Sequence, residues 1–211
     1  MLARHRALWA LAVIVSLALL IAPALWNGFA LLYWDSGGYL ARWYEGTLET
    51  SRGVVFGLIL TAGVPLSFWP ALLLQAAATL WLVALTLRAH GLGKRPLLLL
   101  GIVAALSAAT TLPWLTSMLL TDIFAGLGVL ALYLVLLRPD ALSRSERLGL
   151  IVLIALSAAT HNATLAVLLG LLAVAAVLGL IDRRRLPPVR LARGLLALAL
   201  GAVLVLAPIS S

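Results

Sequence analysis

The sequence predicts an all-α, polytopic transmembrane bundle of about seven spans, and three observations lead there. Hydrophobic residues make up 64% of the 211 residues and charged residues only 10%, whereas soluble domains run near half apolar and a quarter charged. A water-soluble core of this size cannot hide so much apolar surface, so part of the solvent must be lipid. The apolar residues form long runs, and the basic residues fall in short clusters between them, as cytoplasmic loops do. The +8 formal charge therefore marks membrane topology and excludes a nucleic-acid partner. With no cysteine present, disulfides and thiolate-held metals are excluded as well.

Taken in order, Ala7–Leu32 reads as an uncleaved first helix, because the run is too long for a signal peptide and lacks a small-residue cleavage site. Residues 34–66 follow as an extracytoplasmic loop and surface segment. Within it, Gly53–Val64 is apolar but short, and Gly63, Pro65 and Pro70 interrupt its path, so it lies on or half inside the outer face. The remaining spans are Phe68–Leu87, Leu97–Leu112, Ser117–Leu137, Leu148–Thr160, Ala163–Ile181 and Leu195–Pro208. Leu148–Ile181 is too long for one untilted helix and turns at His161-Asn162.

Charge supports two crossings there. With that count, Arg4/Arg6, Arg88/Lys94/Arg95, Arg138/Arg144/Arg147 and the cluster from Arg183 to Arg193 share one side. Only Arg42 and Arg52 fall opposite, so thirteen cations against two place the N-terminus in the cytoplasm. An integral protein of a bacterial inner membrane is expected. Residues 1–211 form a single helical module, expected to be the N-terminal part of a longer protein.

This topology gathers polar residues from three distant turns on the outer side: Asp35, Arg42, Glu45, Glu49, Arg52, then Asp122, then His161 with Asn162. Asp35 sits among Trp34, Tyr39, Trp43 and Tyr44, and Gly37-Gly38 permits close backbone approach. A carboxylate ringed by aromatics at a membrane surface is a candidate base aimed at a lipid-linked substrate. The same pattern also suits a solvated loop with aromatic interface anchors. Asp122 interrupts an apolar run, and with a helix starting near Thr116 or Ser117 it would lie one to two turns inside, facing a cavity or partner. Pairing of Asp122 with Arg52 or His161 is the purely architectural alternative, and for His161 it is a hydrogen-bonding cap. Asp140, Glu146 and Asp182 stand among arginines and read as weak loop ion pairs. Neither a phosphate-binding Gly-Lys loop nor a His-Glu-x-x-His helix occurs.

Four stretches resemble the GT-C class of membrane glycosyltransferases, which use polyprenyl-phosphate sugars. They are Asp35-Ser36-Gly37-Gly38-Tyr39 after helix one, Ser51-Arg52-Gly53-Val54-Val55-Phe56 entering a surface segment, Thr121-Asp122-Ile123-Phe124 opening a later helix, and His161 at the outer end of a helix pair. Proline is missing after Arg52, and His161 stands where relatives more often have Arg. The resemblance implies sugar transfer from a polyprenyl-phosphate donor to a lipid, glycan or protein acceptor at the extracytoplasmic face. Asp35 would be the base, while Arg52, Arg42, His161 and Tyr39 would hold the donor and its phosphate. Asp122 would orient these groups or help to hold a divalent metal ion, the one cofactor implied. Membrane lipids are the remaining partners.

Two other classes stay open. A proton-coupled transporter or lipid flippase could use Asp122 and His161, but it should show polar midplane residues and broken helices in matching halves. The spans are almost purely Ala, Leu, Val and Gly, with Gln75 the main midplane exception. A non-catalytic scaffold or inactive fragment would use Trp26, Tyr33, Trp34, Trp69 and Trp114 only as interface anchors.

Overall fold

A computed structural model describes residues 2–47, 53–184 and 186–206. Among these the regular structure is helical. The first elements are α1 (Leu2–Leu20), α2 (Ala22–Asn27), α3 (Trp34–Tyr44), α4 (Val54–Gly63), α5 (Trp69–Ala89) and α6 (Pro96–Ala109). They are followed by α7 (Leu112–Ser117), α8 (Asp122–Leu137), α9 (Arg144–Thr160), α10 (Asn162–Ile181) and α11 (Pro188–Leu206). Three helices among the described residues, α1 over Ala3–Leu20, α5 and α10, are long and apolar enough to cross a membrane. The apolar helices α6 and α8 are shorter, as is the segment Val54–Leu66. The 10 residues of α4 rise about 15 Å, half a hydrocarbon core, so this helix does not cross alone.

The chain divides into two compact units, Met1–Ser36 with Leu60–Ile123, and Gly37–Ile59 with Phe124–Ser211. In the first, α1 packs on α5, α6 and α7, and α2 packs on α7. Two expected spans are broken. The first stops at Ile21 because Pro23 has no N–H and sits at the start of α2, which ends at Gly28 in the left-handed region (φ 73°). The expected Ser117–Leu137 span starts late: Ser117 ends α7, Met118 is extended, and the long helix begins only at Asp122. Met118 pairs with Leu31 in a one-residue parallel bridge, where Leu31 N donates to Ser117 O at 2.9 Å and Leu119 N to Leu31 O at 2.9 Å.

Backbone released by such breaks must find partners within an apolar protein, and buried polar side chains of this unit supply them. Thr116 Oγ1 donates to Leu20 O, and Ser117 Oγ accepts from Ala24 N at 3.4 Å. Gln75 Nε2 lies 3.3 Å from Leu115 O, 3.4 Å from Thr116 O and 3.0 Å from Met118 O. The expectation of unbroken spans is thus corrected, and bracing these carbonyls explains the polar residue a third of the way along α5.

In the second unit, contacts made by three glycines order the helices. Gly128 of α8 faces Ser157 of α9 and Leu168 of α10, Gly194 of α11 faces Leu172 and Leu132, and Gly201 of α11 faces Ala155 and Ala158. The N-terminal end of α8, the turn at His161 and the C-terminal half of α11 therefore share one end, with the Arg138 and Arg183 loops at the other. Leu148–Ile181 reverses at His161, as its length and flanking charge imply. The last helix begins at Pro188, earlier than expected, and takes Arg190 and Arg193 into its first turns. Glu146 caps a helix: its Oε2 accepts from Ser143 N at 2.9 Å while Ser143 Oγ accepts from Glu146 N at 3.3 Å, a capping box for α9.

Candidate functional site

The segment expected as an outer loop contains α3, whose first turn carries Asp35. Gly37 and Gly38 lower intrinsic helix propensity, yet Ser36, Tyr39 and Ala41 are buried, while Trp34, Trp43 and Tyr44 are exposed. Burial of these three residues, with Asp35 in the first turn where the helix dipole favours a carboxylate, outweighs the glycine cost. A Cβ on Gly37 would meet nothing within 4 Å, so close approach is not what this glycine provides.

Ser36 locks the start of α3. Its Oγ accepts from Tyr33 N at 3.0 Å and donates to Leu119 O at 2.9 Å. Asp35, half-buried, is therefore tied through its neighbour to the extended stretch that runs into Thr121 and Asp122. Thr121 is buried, whereas Asp122 is exposed and is the first residue of α8. This corrects the expectation that Asp122 lies one to two turns inside a helix: the break at Met118 moves the helix start onto Asp122 itself.

The second unit collects the other candidates. Tyr39, expected to touch substrate, is only 2% exposed and its ring meets Phe56 edge-on at 4.9 Å. Phe56 in turn meets Phe124 at 6.0 Å. Tyr39 is therefore a packing residue that seats α3 on α4 and the start of α8. Gly53 and Gly57 let α4 come close: a Cβ on Gly53 would lie 2.3 Å from Thr160 O, and one on Gly57 2.2 Å from Tyr39 O. Gly53 follows Arg52, and Thr160 precedes His161. Arg52 and Glu49 lie outside the described residues, as does the side chain of Arg42. His161 is half-buried, and its Nδ1 accepts from Ala163 N at 3.0 Å, capping α10.

Among the described residues no group of three or more His, Asp or Glu side chains comes together to hold a metal ion. Asp35 and Asp122 could supply only part of a hard cation's oxygen ligands, with water and a substrate phosphate supplying the rest. Exposed aromatics lie on either side of the site in the sequence, with Trp26 95% and Trp34 92% exposed. The sequence pattern missed the polar brace of Gln75, Thr116 and Ser117; Gln75 in an apolar run was the one signal for it. Compared with protein-family models, with curated proteins and with solved structures, the chain matches none.

Proposed function

We propose that the protein is a membrane glycosyltransferase of the GT-C type, moving a sugar from a polyprenyl-phosphate donor to an acceptor on the extracytoplasmic side. Asp35 takes the proton of the acceptor hydroxyl or amide as that atom bonds to the sugar's anomeric carbon. The bond from that carbon to the phosphate oxygen breaks, and the polyprenyl phosphate leaves with the electron pair. Arg52, with Arg42 and His161, stabilises the growing phosphate charge through charge-assisted hydrogen bonds. In this reading seven segments cross a bacterial inner membrane from a cytoplasmic N-terminus.

The observation that supports it is the hydrogen bond from Ser36 Oγ to Leu119 O. It joins the Asp35 segment to the Asp122 segment, two stretches more than eighty residues apart that bear the acidic motifs. The test is radiolabelled sugar transfer in membranes containing the protein, with Asp35→Asn as the diagnostic variant. Transfer lost at unchanged expression supports the base assignment, and near-normal turnover removes it.

A second reading, transport, draws on the two broken spans and the buried Gln75 between them, since discontinuous helices build substrate sites in carriers. Solute uptake that survives Asp35→Asn but not Gln75→Leu would favour it.

A further inference from the structure

We infer that the second unit holds an anionic phospholipid at the end opposite His161, in a furrow between α8 and α10. The furrow has a volume of about 220 Å³ and is lined by Leu132, Tyr133 and Leu136 of α8, Val174 and Leu178 of α10, and Leu186 beyond it. It runs along α8 from Val129 to Leu137, about 12 Å at 1.5 Å per residue, most of the roughly 15 Å of hydrocarbon in one leaflet. Its lining is almost wholly aliphatic, which suits one acyl chain lying along the helices.

Chemistry changes at the mouth. Arg138 follows the lining residue Leu137, is exposed, and its Nε lies 3.4 Å from the Tyr133 hydroxyl. Arg190 Nη1 approaches the carbonyl of Leu136, another lining residue, at 3.5 Å. Exposed Arg183 and Arg184 stand between α10 and Leu186. Two aspartates oppose these four cations. Asp140 is 93% exposed and 3.5 Å from Arg190, and Asp182 Oδ1 accepts from Arg184 N at 3.1 Å. The balance remains positive. An apolar trough ending in arginines and a phenol hydroxyl complements a lipid whose chain lies in the leaflet and whose phosphate sits at its edge.

The test is native mass spectrometry of the full chain in detergent with equal dioleoyl phosphatidylglycerol and dioleoyl phosphatidylcholine. The wild-type chain is expected to retain phosphatidylglycerol preferentially. Replacing Arg138 and Arg184 with Gln should lower that preference about fivefold per arginine, which corresponds to the roughly 1 kcal/mol that one cation contributes near an anionic surface. Leu178→Trp should lower retention of both lipids by filling the furrow. Lys94→Gln with Arg95→Gln, exposed cations of the first unit, should leave the preference unchanged. Equal retention of the two lipids by the wild type would overturn the inference, as would an undiminished preference in Arg138→Gln/Arg184→Gln or an equal loss in the Lys94/Arg95 variant. Displacement of the lipid by inorganic phosphate would overturn the lipid assignment. The mouth variants are surface changes, so they decide the matter even if Leu178→Trp fails to fold.

Discussion

One methyl group should have opposite effects at two glycines of this chain. At Gly57 an added Cβ would lie 2.2 Å from the carbonyl oxygen of Tyr39 and 2.8 Å from Trp43 Nε1. The indole can rotate away, but the carbonyl belongs to helical backbone. Helix α4 must therefore withdraw from α3 by on the order of 1 Å to restore van der Waals separation, loosening the Tyr39–Phe56 contact. Overpacking of this kind costs about 1–3 kcal/mol, and the better helix propensity of alanine returns up to about 1. Gly57→Ala should thus destabilise by about 1–2 kcal/mol. Gly101, exposed in α6, has nothing within 4 Å of such a Cβ, so Gly101→Ala should stabilise by about 0.5–1 kcal/mol. Equilibrium unfolding by SDS titration in mixed micelles measures both. Equal shifts of the two variants in the same direction would refute the close approach of α4 to α3.

Gln75→Leu removes the donor shared by three carbonyls near the α7–α8 break. Met118 O keeps its bond from Leu120 N, so the loss falls mainly on Leu115 and Thr116 and should cost about 1–2 kcal/mol in the same titration. A variant as stable as the wild type would show that the brace is not needed. His161→Ala should destabilise by about 0.5–2 kcal/mol through loss of the α10 cap, while His161→Asn, which can still accept from the backbone, should stay close to wild type. If both variants lose sugar transfer while Asn alone keeps stability, the imidazole acts in the site beyond capping. If Asn restores both, His161 is a cap only.

Helical class and the reversal at His161 were legible because they depend on long apolar runs and on charge placement, both averaged over many residues. The breaks at Ile21 and Met118 were less so. Pro23 is a local signal, but Met118 leaves the helix because Leu31 and Ser36, more than eighty residues away in sequence, take up its neighbours' backbone groups. No local propensity encodes such a partner. The helix at Trp34–Tyr44 was hidden for the same reason: Gly37-Gly38 argues for a loop until Tyr39 and Ala41 are seen to be buried. The meeting of the Asp35 and Asp122 segments, through Ser36 and Leu119, was suggested by their shared outward placement. The role of Tyr39 was not, since an aromatic beside a carboxylate looks alike in sequence whether it faces a substrate or, as here, Phe56.

The proposed chemistry requires one outward rim that carries Asp35, Arg52, Asp122 and His161. Because the chain has no cysteine, single cysteines at exposed positions report sidedness without background. Thr47→Cys, Asp122→Cys and Asn162→Cys should react with a membrane-impermeant maleimide on intact cells, whereas Lys94→Cys and Arg184→Cys should react only after permeabilisation. Labelling of Thr47→Cys and Asn162→Cys from opposite sides would contradict a shared rim and remove the basis of the enzymatic proposal.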